Sequence, residues 1–245
     1  MTAIGTDVSD LSPRTGAPVA SQRIAAALAE KILTGDLPPG TRIKQDELAE
    51  ELHTSRIPVR EALRILAARG LVTLRSNSGA WVAQMSRQDL DVSYKIRERL
   101  EPLLLEESLR HLTDAHVARM RSLQDDIEAN DDVERFLVLD RQLHWTSYSG
   151  HRAPHLADII ERLWDTTQHY RRAYTRLAGS RRSWIINAEH RLLIEAVAER
   201  DVEGACVTLT QHIRRTRVEL ADHEDLFPEE PDARAGSSTS PWTSA

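Results

Sequence analysis

The sequence predicts a mainly α-helical protein with two folded parts: three helices with a β-hairpin, followed by an all-α helical bundle. Leu, Ala, Glu and Arg are abundant, whereas Val, Ile, Tyr and Phe are not, and this balance favours helices over sheet. Glycine and proline number only ten each in 245 residues and cluster at a few places, where they divide the chain into helical stretches. Hydrophobic residues make up 40% of the chain, enough for a folded core.

Composition also excludes several classes of protein. No apolar run approaches the roughly 18 residues that span a membrane, so we expect no membrane partner. The first residues, MTAIGTDVSDLSPRTG, lack the basic start and apolar core of a signal peptide. The single cysteine, Cys206, cannot form an intramolecular disulfide, which suits a reducing compartment. We therefore expect a cytoplasmic protein.

The two ends of the chain are polar and have no hydrophobic periodicity. We therefore expect a disordered arm over residues 1–19 and a disordered tail over residues 226–245. Between them, the patterns predict an N-terminal domain over residues 20–86 and a helical domain over residues 87–225.

The N-terminal domain is predicted to contain three helices and a hairpin. Ser21 is a suitable N-cap for the first helix, and the turn at Pro38-Pro39-Gly40 separates it from a second helix over residues 45–52. A third helix is predicted over residues 56–69. The runs LVTLR and AWVAQ then flank Ser76-Asn77-Ser78-Gly79, a pattern typical of a β-hairpin.

Two short helices joined by a tight turn and followed by a hairpin describe a winged helix-turn-helix. In this arrangement the second helix of the pair enters the DNA major groove with its first residues against base edges. Here those residues are Ser55, Arg56, Ile57 and, one turn further on, Arg60. Arg64 shares the face of Arg60 at i,i+4 spacing. Arginine suits guanine and phosphate because its guanidinium can donate two parallel hydrogen bonds. Considered alone, Arg60 and Arg64 could instead be solvated charges beside Glu61.

A family resemblance is carried by one contiguous run, ILTGDLPPGTRIKQDELAEELHTSRIPVREALRILAARGLVTLRSNSGAWV. Its G-x-x-x-P-G turn, E-L-A helix, SRIPVREAL stretch and G-L-V entry to the wing resemble the DNA-binding domain of the GntR family of bacterial transcription regulators. The resemblance implies operator contacts by Ser55, Arg56 and Arg60, assisted by Lys44 and Gly79. Ile57 departs from the family pattern, in which a small polar residue, often Thr, is common, and this bears on the operator sequence.

Four side chains of the C-terminal domain have the types and positions of a metal site. Asp140 and His144 are one helical turn apart, so an inward-facing pair could bind one cation. His190 lies on an apolar helix face, and His212 follows apolar residues on the last helix. Three imidazoles and a carboxylate suit Zn²⁺, Ni²⁺, Mn²⁺ or Fe²⁺. The alternatives are an exposed polar pair for Asp140 and His144, and a hydrogen-bonded core histidine for His190.

The segment from about residue 90 to 222 resembles the FCD effector domain of the FadR subgroup of GntR regulators. The resemblance is carried by Arg97-Glu98-Arg99-Leu100-Glu101, Asp140-x-x-x-His144, Glu189-His190 and His212. That family places one metal on an Asp and three His in this order, which implies Asp140, His144, His190 and His212 as its ligands. The segment is predicted to contain six helices, over 88–111, 114–129, 132–149, 154–178, 181–200 and 202–222. With six helices rather than seven, it resembles the shorter variety of the domain.

The resemblance also implies a ligand-responsive regulator, with repression the expected mode, whose helical cavity binds a small organic acid. A cation bound by one carboxylate keeps positive charge and open coordination positions, which attract an anion. Arg97 is the candidate for a second clamp on the acid, although it could pair with Glu101 one turn away.

We expect a homodimer on a palindromic operator, because one recognition helix reads too little DNA. Two other functions stay open. The Asp/His cluster could serve a metal-dependent enzyme, although no general base or HExxH motif is evident and a non-enzyme is expected. The helical bundle could also oligomerise without any ligand.

The whole-chain charge of −6 taken alone argues against binding to DNA. Within residues 20–86, however, nine Lys and Arg stand against seven Asp and Glu, so this domain carries a net charge of +2. Arg56, Arg60, Arg64 and Arg75 lie on the third helix and the wing. The edge predicted to face the groove is therefore basic, and the acidity belongs to the helical domain and the two ends.

Overall fold

The computed structural model describes residues 17–75, 79–178, 180–223 and 226–227. The chain divides into two compact units between Ala83 and Gln84, compared with the predicted boundary after residue 86. Both units are mainly helical and the first carries a small sheet, which confirms the predicted fold class. In the described ranges, every helix is too short or too polar to cross a membrane.

The first unit is a winged helix-turn-helix. Its elements are α1 (Ala17–Leu33), β1 (Arg42–Ile43), α2 (Gln45–Glu51), α3 (Arg56–Ala68), β2 (Val72–Arg75) and β3 (Gly79–Val82). Strand β3 lies between β1 and β2 and is antiparallel to both, with Arg42 and Thr73 each paired opposite Trp81. Apolar side chains of the helices and the sheet form one core, which includes Leu28, Leu48, Val59, Leu63, Leu66 and Val82.

Two details of the first unit differ from the sequence prediction. Helix α1 begins at Ala17, inside the predicted arm, so Ser21 is a buried residue within the helix and not its N-cap. Helix α1 packs against α3. Strand β1 escapes prediction because two residues show no periodicity. Residues 1–16 of the arm, the hairpin tip at 76–78, and the tail from residue 228 lie outside the described residues.

The second unit contains six helices within the described residues. They are α4 (Arg87–Leu109), α5 (Asp114–Glu128), α6 (Val133–Tyr148), α7 (Pro154–Ala178), α8 (Ser180–Ala198) and α9 (Val202–Ala221), close to the predicted bounds. Side-chain caps fix three of the helix starts. Ser86, Asp132 and Asp201 accept hydrogen bonds from backbone amides in the first turns of α4, α6 and α9, which satisfies donors that the helix leaves unpaired.

Pro102 lies inside α4 and does not end the helix, in agreement with the single helix predicted over residues 88–111. Buried side chains continue on both sides of the proline, from Glu101 to Leu104 and Leu105. Helix α4 packs along α9, and this packing outweighs the single backbone hydrogen bond that a proline removes.

The core of the second unit buries charged side chains among its apolar ones. Trp164, Tyr94 and Leu143 are almost fully buried, as expected of large apolar groups. Arg97 and Asp140 are buried beside them. Because an unpaired buried charge is costly, each of these residues requires an ionic or hydrogen-bond partner inside the core.

Candidate metal centre and nucleic-acid interface

Asp140, His144, His190 and His212 converge inside the second unit. Asp140 and His144 lie one turn apart on α6, His190 comes from α8, and His212 comes from α9. Each residue offers one ligand atom, and these four atoms lie within 4.8 Å of one another. Asp140, His144 and His190 are at most 2% exposed, which removes the alternative of a solvated polar pair. Three helices thus bring together the four residues that the sequence indicates.

Hydrogen bonds on the far side of two imidazole rings fix their orientation. His190 Nδ1 lies 2.8 Å from Gln124 Oε1, and the Gln124 amide nitrogen donates to Asn187, so the oxygen is the atom that faces His190. His212 Nδ1 lies 2.9 Å from a carboxylate oxygen of Glu189. A ring that donates from Nδ1 keeps its Nε2 lone pair for a metal. Gln124 and Glu189 therefore hold both rings in the form that a metal ligand requires.

Two nitrogen atoms in the cluster are buried and lack a hydrogen-bond partner within the described residues: His144 Nδ1 and His190 Nε2. An unpaired buried polar group costs about 1–3 kcal/mol, and a cation beside Asp140 would satisfy the lone pair of His190 Nε2. Asp140 presents Oδ1 at 3.4 Å from His190 Nε2 and 3.8 Å from His144 Nε2. This donor set, three imidazoles and one carboxylate around a common point, fits a divalent ion such as Zn²⁺.

Electrostatics favour the protonation state that binds metal. Burial would raise the pKa of the Asp140 carboxyl, but Arg171 and the adjacent histidines hold this pKa well below its usual range. Burial lowers the pKa of both His144 and His190, against the opposing effect of Asp140. These shifts favour an ionised Asp140 and neutral imidazoles at His144 and His190, the forms in which these groups bind metals.

A cavity of about 40 Å³ adjoins the cluster, with room for an ion and a few water molecules. Arg97 lines this cavity and is only 4% exposed, and its Nε donates to Glu101 over 2.5 Å. The two sequence interpretations of Arg97 are therefore compatible. It pairs with Glu101, and it also lines the cavity beside Asp140 and His144.

Three residues of this cavity, Arg171, Trp164 and Tyr94, are absent from the sequence prediction. Arg171 donates to Asp140 Oδ2, the carboxylate oxygen that does not face the histidines. The guanidinium carbons of Arg97 and Arg171 lie 4.5 and 4.4 Å from the Trp164 ring centroid. Trp164 and Arg171 are seven residues apart on α7, which is two helical turns, and this spacing is a signal that the two share a face.

In the first unit, the arginines that the sequence indicates form a stripe on α3. Arg56, Arg60 and Arg64 follow one another at four-residue spacing and are exposed. The opposite side of α3 is buried against the core through Val59, Ala62, Leu63 and Leu66. Ser55 is the N-cap residue, and its side chain makes no capping hydrogen bond. The helix thus presents Ser55 and the arginines outward at its first turns.

Acidic neighbours pair with several of these cations. The ion pairs are Arg56–Asp46, Lys44–Glu47 and Arg64–Glu61, with nitrogen–oxygen distances of 2.7, 2.6 and 3.4 Å. All six side chains are more than half exposed. Exposed ion pairs contribute little to stability, so exchanging a carboxylate for a phosphate at these positions costs little.

The wing carries a second basic surface. Gly79 begins β3 with a φ of +101°, a conformation that residues with a Cβ rarely adopt, and this accounts for the glycine. Two residues further on, the Trp81 ring centroid lies 5.5 Å from the guanidinium carbon of Arg42 and 4.9 Å from that of Arg75. Arg42 and Trp81 are absent from the predicted site, because only the strand pairing brings them beside Arg75.

Each of the two units matches a known protein family. Residues 20–82 match bacterial regulatory proteins of the gntR family, and residues 92–215 match the FCD domain. The chain belongs to the GntR family of regulators and carries an FCD domain. This GntR-family protein is therefore a DNA-binding transcription regulator. FCD domains are known to bind metal ions and small-molecule effectors, and the matched families consist of regulators, which are not enzymes.

Individual proteins give the same result. The uncharacterised HTH-type transcriptional regulator YdhC of Bacillus subtilis (strain 168) is 28% identical over 183 residues, covering 73% of this chain and 80% of YdhC. The HTH-type transcriptional repressor GlaR of Escherichia coli (strain K12) is 27% identical over 195 residues, covering 76% and 89%. The solved structure of E. coli McbR/YncC has a TM-score of 0.73 over 83% of this chain and 98% of that chain, at 22% identity, which supports the fold alone.

Proposed function

We propose that this GntR-family protein is a cytoplasmic, homodimeric repressor whose affinity for a palindromic operator depends on a divalent metal ion and a small organic acid. One observation carries the proposal. Asp140 and three histidines converge beside a cavity that Arg97 and Arg171 line. Repression is supported by the relative GlaR, whose name describes a repressor.

Asp140, His144, His190 and His212 are the residues that would hold the ion. Bound there, the ion supplies positive charge and coordination positions for an anionic group. Neighbouring side chains support these ligands. Gln124 and Glu189 orient the rings of His190 and His212, and Arg171 keeps Asp140 ionised.

Arg97 is proposed to bind the acid from a second side. Its guanidinium is held by the 2.5 Å hydrogen bond to Glu101 and by a 3.4 Å contact with Thr167. Tyr148 donates to the other oxygen of Glu101 at 2.8 Å, which fixes that carboxylate in turn. A guanidinium with so little freedom loses little entropy when it binds a carboxylate.

DNA recognition is assigned to Ser55, Arg56, Arg60 and Arg64 on α3, with Lys44 and Gly79 beside them. The exposure of the α3 stripe supports this, because recognition helices present their first turns to base edges. The small net charge of the domain predicts weak non-specific binding by one copy. Operator binding is therefore expected to require two copies, and a ligand would act by shifting their population between binding and non-binding arrangements.

Metal binding is tested by titrating zinc into chelator-treated protein in a calorimeter. We expect one ion per chain, and we expect His190→Ala to weaken binding at least tenfold, because it removes a ligand. His155→Ala is the matched control, since His155 is exposed and outside the cluster, and it should leave zinc affinity unchanged. Absence of zinc binding, or equal affinity in the His190 variant, would overturn the metal assignment.

DNA binding is tested by a mobility-shift titration on palindromes selected from a random library and on the DNA upstream of the protein's own gene. We expect a specific complex of two chains with one palindrome. If no palindrome is enriched by selection and the upstream DNA is not shifted, the assignment of α3 as a recognition helix for a palindromic operator is wrong.

A further inference from the structure

We propose that the cavity beside the metal cluster selects a small dianion, most simply a short dicarboxylate. One carboxylate would lie at the metal, and the other would be bound by Tyr94 together with Arg97 and Arg171. This inference rests on the proposed function, because it takes the ion at Asp140 and the three histidines as given. It specifies the charge of the ligand, which neither the family nor the cluster itself determines.

Charge balance is the first step. The charged side chains that line the cavity are Arg97, Arg171 and Asp140; Arg97 pairs with Glu101, and Arg171 pairs with Asp140. An imidazole that ligates a metal ion is neutral, so the histidines of the cluster add no charge to this balance. Without a metal, these paired groups therefore carry no net charge.

A divalent ion changes this balance by adding two positive charges. Asp140 is already neutralised by Arg171, so its carboxylate does not reduce the total. Buried charge that is not compensated is strongly unfavourable in a low-dielectric interior. A ligand with two negative charges restores neutrality, whereas a monocarboxylate leaves one positive charge without a counterion. The metal-loaded cavity should therefore prefer a dianion.

Donors for a second carboxylate already line the cavity. The Tyr94 side chain is 1% exposed, and its hydroxyl has no hydrogen-bond partner within the described residues. Arg97 and Arg171 lie against Trp164, so their planes are fixed, and each guanidinium has five N–H donors, more than the protein contacts use. A phenol hydroxyl and two guanidiniums form a donor set suited to a carboxylate.

The size of the space limits the length of the ligand. The cavity of about 40 Å³ holds only a few water molecules, so an acid binds beside the ion only if the surrounding helices move apart, and the shortest dicarboxylates require the least movement. Malonate and succinate are therefore suitable probes. Propionate and butyrate match them in chain length and carry one carboxylate each.

The experiment is a calorimetric titration of these four acids into zinc-loaded protein from which excess zinc has been removed, at constant ionic strength. We expect the better dicarboxylate to bind at least tenfold more tightly than the monocarboxylate of the same length. The monomethyl ester of succinate has nearly the same size but one charge, so we expect its affinity to fall to that of butyrate.

A tyrosine variant tests the second binding point. Tyr94→Phe removes only the hydroxyl and should weaken dicarboxylate binding about three- to tenfold while leaving zinc affinity unchanged. Tyr170→Phe is the matched control, because the Tyr170 hydroxyl bonds to the backbone of Met85 and does not line the cavity. We expect this control to bind both zinc and dicarboxylate as the unaltered protein does.

Each remaining outcome has a definite meaning. Equal affinity for dicarboxylates and monocarboxylates, or a Tyr94→Phe variant that binds dicarboxylates normally, overturns the inference and leaves the proposed function intact. Dicarboxylate binding that is equally tight without zinc also overturns it, since the charge argument requires the ion. If zinc binds but no acid does, or if zinc itself does not bind, the proposed function fails as well.

Discussion

The two units use arginine in opposite ways. In the first unit, Arg56, Arg60 and Arg64 lie on the exposed side of α3, and their acidic neighbours are also solvated. In the second unit, Arg97 and Arg171 are at most 8% exposed and each pairs with a buried carboxylate. An exposed charge is available to a partner and has little effect on folding, whereas a buried charge affects folding directly. Changing single arginines should therefore separate recognition from stability.

The largest effect is expected at a buried pair. Arg97→Met leaves Glu101 charged and buried without its cation, so the free energy of unfolding should fall by about 3–5 kcal/mol. Urea denaturation measures this loss. The double variant Arg97→Met/Glu101→Gln removes the charge and keeps an oxygen acceptor for Tyr148, and it should recover most of the stability. A loss below about 1 kcal/mol in the single variant would show that the pair is not buried in solution.

Acid should destabilise the metal-free second unit. Burial lowers the pKa of His144 and His190 in the folded state, so below about pH 6.5 the unfolded chain binds more protons than the folded one. The two histidines therefore make their full contribution to the free energy of unfolding above about pH 6.5, and this contribution decreases as the pH falls below that value. Each histidine contributes up to about 1.4 kcal/mol per pH unit.

Urea denaturation between pH 7 and pH 5 in the presence of chelator measures this acid dependence. The carboxyl groups of an unfolded chain titrate near pH 4, so the histidines dominate the upper part of this range. His144→Gln/His190→Gln should flatten the slope. Stability that is constant between pH 6.5 and pH 5 in the unaltered protein would show that the two imidazoles are not buried.

A smaller free-energy change, confined to DNA binding, is expected on α3. Arg60→Ala should weaken operator binding by about 1–3 kcal/mol per half-site and change the free energy of unfolding by less than about 0.5 kcal/mol. Fluorescence anisotropy and urea denaturation measure the two quantities. Arg23→Ala removes the same charge from the exposed side of α1, and it should affect specific binding much less. Equal losses in the two variants would mean that Arg60 acts only through net charge.

The smallest effect is expected at Ile57, whose side chain is 66% exposed at the start of α3. An apolar side chain in this position suits contact with a thymine methyl group. Ile57→Thr should change the base preference at one operator position by less than about 1 kcal/mol and leave stability unaltered. Competition binding with single-base operator variants measures this preference, and an unchanged preference at every position would show that Ile57 does not reach the bases.

The two units also differ in how much of each site the sequence predicts. In the first unit, Ser55, Arg56 and Arg60 are close neighbours on one helix, so one contiguous pattern predicts both the element and its exposed face. The strand pairing that places Arg42 beside Trp81 depends on long-range contacts, and local patterns do not contain it.

In the second unit, the cluster of Asp140 and three histidines is predictable because Asp140 and His144 share one helix turn and the two other histidines follow a family pattern. The cavity beside this cluster is not predictable from the sequence, because Tyr94 and Arg171 lie on two helices, α4 and α7, that are far apart along the chain. A buried arginine or tyrosine resembles a surface one in sequence. Only the packing of the helices shows which polar groups face inward.

The central claim is that a metal and an acid in the second unit control DNA binding by the first. The most direct test is operator affinity, measured by fluorescence anisotropy with chelator, with zinc, with succinate and chelator, and with zinc and succinate together. We predict that succinate changes the operator Kd at least fivefold only when zinc is present, and that His190→Ala removes this response. The same operator Kd under all four conditions would contradict the claim.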